Sequence, residues 1–271
     1  MASALADEPM PGTAPAADWW VVVEHQAGWG AAPLARTEHG VRVVMARPLR
    51  GFERAPQVWI ARAASPGGER PWLRRGPVGA PEEVADWDLA EIAAGGFDSW
   101  GKPVDEPVLL LCANGRRDRC CGHIGGRLAS DLAEHPDAAS ILTSTHLGGH
   151  RFAPTALLLP WGVLHGRLDH DSLLQVLHDA RAGRTPEWSL RGHSTLAAPA
   201  QVAEVHARAA TGYQGLAPLA VDVTISGEHA SAVVHVPGAG QVRVALRRDV
   251  PDVLPSCGKQ PEPTARWVVL S

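Results

Sequence analysis

The sequence predicts an α/β protein: an α/β first half, a central strand-and-helix unit and a small C-terminal α+β extension. Three observations carry that prediction. Short apolar runs bounded by Gly and Pro recur through the first hundred residues, a strand–helix–strand–hairpin–helix pattern fills the middle, and three strand-like runs close the chain. With 271 residues and 45% hydrophobic content, the chain can bury one large core or two modest ones without staples.

Residues 1–17 are rich in Ala, Pro and small polar types, a composition that reads as a disordered tail. An N-terminal α/β region over 18–103 follows, with strands at W-W-V-V-V, V-R-V-V-M and Q-V-W-I-A-R-A and an Ala-rich helix over residues 81–93. D-S-W-G-K-P-V-D-E-P then reads as a linker, its two prolines favouring extended backbone.

The pattern is sharpest over residues 104–185. P-V-L-L-L-C is a buried strand, H-I-G-G-R-L-A-S-D-L-A-E-H a helix, and A-S-I-L-T-S-T a second strand. T-A-L-L-L-P and V-L-H-G-R-L pair as a hairpin around Trp161 and Gly162, and H-D-S-L-L-Q-V-L-H-D-A-R has its apolar positions at helical spacing. The order βαβ, loop, ββα is that of a thioredoxin-like domain. Such folds place a proline, often cis, before the third strand, and Pro154 stands there.

Residues 186–271 form the extension, a helix through Q-V-A-E-V-H-A-R-A-A and a β-meander of L-A-V-D-V-T-I, A-S-A-V-V-H-V and Q-V-R-V-A-L-R-R. The N-terminal half is at most a degenerate copy of the central unit, since no motif repeats.

Composition excludes several functions. With 25 basic against 29 acidic residues and a pI near 6.3, nucleic acid is not an expected partner. The opening residues lack a basic n-region and an apolar h-region, and no apolar run has transmembrane length, so a cytoplasmic protein without a membrane partner is expected. Ten tryptophans stand beside three phenylalanines and one tyrosine; singles such as Trp59, Trp72 and Trp188 read as core anchors.

Three of the four cysteines, Cys112, Cys120 and Cys121, crowd into one segment, which suits metal or redox chemistry rather than a disulfide framework. L-C-A-N-G-R-R-D-R-C-C-G-H is followed by S-T-H-L-G-G-H-R-F-A-P, so Cys112, Cys121, His146 and His150 offer two sulfurs and two ring nitrogens. Soft thiolates with imidazoles suit zinc or an iron-sulfur centre, whereas hard cations call for carboxylates. The Asn114-Gly115 turn can bring both sulfurs to one end of the sheet, where a helix N-terminus and Arg116, Arg117 and Arg119 favour thiolate. Although His146 and His150 have i, i+4 spacing, Gly148 and Gly149 between them predict a loop with positive φ values, since each glycine costs a helix interior about 1 kcal/mol.

These motifs, C-x8-C-x24-H-x-G-G-H with R-D-x-C-C-G and G-G-H-R-F-A-P around it, resemble the sucrase/ferredoxin-like family of thioredoxin-like ferredoxins. The resemblance is close over residues 108–168 and loose over 18–270. It implies a 2Fe-2S cluster as cofactor, held by Cys112, Cys121, His146 and His150, and single-electron transfer with a redox partner protein or reductase. Cys120 stands beside the matching cysteine as a competing ligand. Two imidazoles in place of thiolates predict a raised potential and electron uptake linked to a proton.

Sugar hydrolysis is not expected, because Asp118, Asp131, Glu134 and Asp137 show no paired arrangement. Two rival readings use the same residues. One is a structural Cys2His2 zinc site. The other is a thiol redox enzyme with Cys120 or Cys121 as nucleophile, weakened by the lack of C-x-x-C. Arg127 and Arg151 are candidates to surround the centre and face an acidic partner. His123, His165 and His193 lack paired spacing, and Cys257 reads as a half-buried structural thiol.

Overall fold

The computed structural model describes residues 8–25, 34–50, 53, 55–116, 118–255 and 259–270. It is a mixed α/β structure dominated by one large sheet. The strands of that sheet used below are β1 (Trp19–Glu24), β2 (Val41–Pro48), β3 (Gln57–Arg62), β4 (Trp72–Pro77), β5 (Val108–Cys112), β6 (Ile141–Ser144), β7 (Ala156–Leu159), β8 (Val163–His165) and β9 (Leu190–His193). Their spatial order is β9-β8-β7-β5-β6-β2-β1-β3-β4, with Lys102–Pro103 beyond β4 and Thr37–Glu38 against β2.

Two similar blocks make up the sheet. In the first, β1 runs parallel to β2 and antiparallel to β3, which pairs with β4. In the second, β5 runs parallel to β6 and antiparallel to β7, which pairs with β8. The blocks join where β2 meets β6 antiparallel, Ala46 opposite Ser144. The repeat is therefore one of strand order, without a repeated motif.

The near-continuous apolar strands follow from burial on both faces. Trp20 and Val22 of β1 and Leu110 and Cys112 of β5 enter one shared core. Their alternates diverge: Trp19, Val21 and Val23 pack under helix α1 (Leu89–Ala93), while Leu109 and Leu111 pack with helices α2 (Gly126–Leu132) and α3 (His170–Arg181). Helix α4 (Ala198–Thr211) carries Val202, Ala203 and Ala207 onto a second, antiparallel sheet of β10 (Ala220–Ser226), β11 (His229–Val236), β12 (Gly240–Asp249) and β13 (Arg266–Val269).

Four expectations need correction. From Glu8 onward the N-terminal segment is packed: Gly12 N–H donates to Arg191 O at 3.0 Å, and Gln201 exchanges two hydrogen bonds with the Ala14 backbone. The helix expected over 81–93 breaks at Trp87, which is extended (φ −67°, ψ 135°), and restarts under an Asp88 cap. Trp87 turns aside to pack on Phe97 and Trp100. Leu190–His193, placed by sequence in the extension, is the edge strand against β8. Trp59 is buried, but Trp188 is 52% exposed and anchors no core. Among the described residues no helix is long and apolar enough to cross a membrane.

Candidate metal centre

Cys112 is the last residue of β5 and is buried, its N–H donating to Thr155 O at 3.0 Å. The chain then turns on Asn114, whose side-chain oxygen accepts from the Arg116 N–H at 3.1 Å. It re-enters as a π-helical turn, Cys121–Gly125, continuous with α2. The buried Asp118 carboxylate accepts from the N–H groups of Cys120 (2.7 Å) and Cys121 (3.2 Å), fixing the start of that turn.

Glycine lets this turn lie directly on the strand end. A Cβ on Gly122 would overlap Gly115, and one on Gly125 would overlap the Cys112 carbonyl oxygen. The backbones touch, and Cys121 is thereby held against Cys112.

The histidines arrive from the loop after β6. Gly148 (φ 80°) and Gly149 (φ 69°) are both left-handed, as the loop reading anticipated, and a 3-10 turn follows over His150–Phe152. His146 and His150 are half-buried, with rings stacked 4.1 Å apart at 25°. His150 Nδ1 lies 3.4 Å from Cys121 Sγ, while Cys112 accepts hydrogen bonds from Cys121 and His146. All four sequence-derived donors thus form one contact ring, with the sulfurs inside and the imidazoles toward solvent.

Electrostatics divide the sulfurs. The hydrogen bond from Cys121 holds the Cys112 thiol well below its ordinary pKa against the opposing effect of burial, helped by His146 and by the Leu147 and Asn114 N–H groups. Donating that bond, with burial and the charges of Cys112 and Asp118, pushes the Cys121 pKa up.

Sequence reasoning did not single out the buried arginine that acts on both sulfurs. Arg116 and Arg119 are exposed, and Arg117 lies outside the described residues. The guanidinium that acts on both sulfurs is that of Arg191 on β9, which is wholly buried. Asp118 was also missed. Its carboxylate, Cys121 Sγ and a His150 nitrogen lie within 4.8 Å of one another. The D-x-x-C spacing was the available signal, since a short acid three residues before a helical position is an N-cap pattern.

The remaining candidates sit elsewhere. Cys120 is half-buried and held in a disulfide, so it offers no thiolate. Cys257 lies outside the described residues. Arg151 pairs with Glu8 at 2.6 Å, and Arg127 is exposed on α2. His123 is exposed. His165 is buried between Ser189 (2.8 Å) and Thr185 (3.4 Å), and His193 spends both ring nitrogens on Glu204 and Leu216 O.

A family model described as sucrase/ferredoxin-like matches residues 99–192. The match contains all four donors and ends on β9, one residue past Arg191. No curated protein and no solved structure matches the chain. By sequence, the stretch from 99 to 192 is similar to the sucrase/ferredoxin-like family.

Proposed function

We propose that this is an iron-sulfur redox protein in which Cys112, Cys121, His146 and His150 hold a 2Fe-2S cluster and exchange single electrons with a partner protein or reductase. The observation carrying the reading is the contact ring itself: two buried sulfurs and two half-buried imidazoles from two separate segments meet at the C-terminal ends of β5 and β6. In an open α/β sheet that is where ligands bind.

The donor chemistry fits the group. Thiolates and imidazoles match a 2Fe-2S centre, and the Asp118 carboxylate is already engaged with two backbone N–H groups. The cluster would supply one-electron chemistry. The protein would supply sulfurs shielded from water, imidazole edges facing a docking partner, and a buried positive charge. We assign the second block to the thioredoxin-like fold, supported by its order β6-β5-β7-β8, the closing helix α3 and the cis Ala153–Pro154 bond before β7.

A zinc staple is the second reading, favoured by one distance. The 3.4 Å between Cys121 Sγ and His150 Nδ1 is close to the edge of a zinc tetrahedron, about 3.5 Å for Zn–S near 2.3 Å and Zn–N near 2.0 Å. Metal and sulfide analysis of anaerobically purified protein decides between them. The redox reading expects red-brown protein with about two iron and two acid-labile sulfide per chain; colourless protein with one zinc would replace it with the staple.

A further inference from the structure

Arg191 is among the largest side chains of the molecule with essentially no solvent exposure. A buried guanidinium ordinarily sits against a carboxylate, because desolvating an unpaired charge is expensive. Here its hydrogen bonds run to neutral oxygens: Nε to Thr13 Oγ1 (3.1 Å), Nη1 to Gly148 O (3.1 Å) and Nη2 to Thr13 O. Among the described residues no carboxylate pairs with it. The cations of Arg151 and Arg42 act against its charged form, and the sulfurs of Cys112 and Cys121 favour it. Burial pulls its pKa down to about 10, so it remains a cation at neutral pH.

Its position is as specific as its charge. Gly148 lies between the two histidines and receives Nη1, and a Cβ on Gly149 would collide with the guanidinium. The left-handed Gly148–Gly149 turn is thus moulded over this side chain, and Thr13 of the N-terminal segment closes it from another side.

We propose that Arg191 is the internal counter-charge of the metal centre, a positioning residue that offsets the negative charge the site gains on reduction and so raises its reduction potential. The inference rests on the cluster reading above. Two ferric ions, two sulfides, two thiolates and two neutral imidazoles sum to zero charge. One added electron would make such a site singly negative, and the guanidinium, which pairs with no carboxylate among the described residues, would then complete an ion pair in a low-dielectric interior. Because Arg191 is fully buried, salt screens this effect far less than it would a surface arginine.

The test uses the full chain as wild type, Arg191→Gln and Arg191→Lys, with iron and sulfide counted before voltammetry, so that the electrode supplies the electron. Arg191→Gln keeps a donor for Gly148 O but removes the charge. It should weaken electron uptake at least tenfold, a potential lower by about 59 mV, while Arg191→Lys stays near wild type. The wild-type potential should move little between low and high salt. A fully loaded Arg191→Gln protein at unchanged potential overturns the inference and leaves the cluster reading intact. If the glutamine variant cannot hold the cluster, the lysine variant decides: wild-type potential supports the counter-charge, and loss of the cluster or a lowered potential assigns Arg191 to packing alone. Wild-type protein lacking iron and sulfide defeats the cluster reading instead, before any potential is read.

Discussion

The two blocks of the large sheet share a strand order and differ in what stands at the end of the central strand. In the second block β5 ends on Cys112, a buried sulfur facing a second sulfur and two imidazoles. In the first, β1 ends on Glu24, a buried carboxylate satisfied by Trp59 Nε1 at 2.7 Å and Arg75 at 3.1 Å. The loop after β6 carries His146 and His150, whereas the segment joining β2 to β3 holds neither His nor Cys. One topology therefore supports a closed polar contact at one end and a gathering of two cysteines and two histidines at the other, so what differs lies in the segments beyond the strand ends, and the sheet supplies only the place.

The largest expected effect comes from removing a donor in the second block. Cys121→Ser should abolish iron and sulfide binding, while Cys120→Ser retains both, because Cys120 is committed to a disulfide. His25→Gln, just past the end of β1, should change neither. Metal and sulfide analysis of the three variants reads this directly, and an iron-loaded Cys121→Ser protein would remove Cys121 from the ligand set.

Next in size is the backbone contact that seats Cys121. A methyl at Gly125 would overlap the Cys112 carbonyl, whereas one at neighbouring Gly126 meets nothing within 4 Å. Gly125→Ala should therefore destabilise by roughly 1–3 kcal/mol through overpacking. Gly126→Ala, in a helix and with ordinary backbone, should stabilise by about 0.5–1 kcal/mol. Urea unfolding of both variants checks the contrast; equal effects would mean the turn can lift off β5 freely.

That Cys112, Cys121, His146 and His150 come together was legible in the sequence because each pair is close along the chain, and Gly-Gly between the histidines announces the turn. What surrounds it was not. Arg191 and Thr13 reach the site from far along the chain, and nothing short-range marks either. Leu190–His193 carries no strand signal in the sequence because its arginine and histidine are buried by specific partners rather than by apolar pattern. The N-terminal segment looked disordered because its order rests on hydrogen bonds to Arg191, Ser194 and Gln201 instead of apolar content. The doubled strand order was equally hidden, since the blocks share topology without sharing motifs.

Buried ionisable groups give a third contrast. Burial lowers His165, at the end of β8, to about 3, so the folded protein keeps it neutral while the unfolded chain takes up a proton near pH 6.5. The unfolded state then binds more protons, and stability falls as pH drops from about 6.5 toward 3. The loss should be on the order of 2 kcal/mol between pH 6.5 and 5, from about 1.4 kcal/mol per pH unit. His165→Gln should flatten that slope in urea titrations at the two pH values, whatever it does to absolute stability. An unchanged slope would show that His165 charges in the folded state.

Glu24 carries the smallest effect, and its sign is opposite. Burial raises its pKa above 4.5, partly offset by the Trp59 and Arg75 hydrogen bonds and the Arg75 charge. A carboxyl with a raised folded pKa binds more protons folded than unfolded, so this group favours the folded state as pH falls into the window just above 4.5 and opposes it as pH rises out of that window. At neutral pH its carboxylate is thus a modest liability, kept because Trp59 and Arg75 would otherwise lose an acceptor inside the sheet. In Glu24→Gln the amide oxygen still accepts from Trp59, and Arg75 retains Glu53 at 2.7 Å. The variant should therefore lie within about 1 kcal/mol of wild type at pH 7, and the wild type should gain on it as pH falls toward 5. Urea unfolding of the pair at both values reads the difference. A loss of several kcal/mol at pH 7 would mean that the Glu24–Arg75 ion pair holds the first block together, making the end of β1 as dependent on its charges as the end of β5.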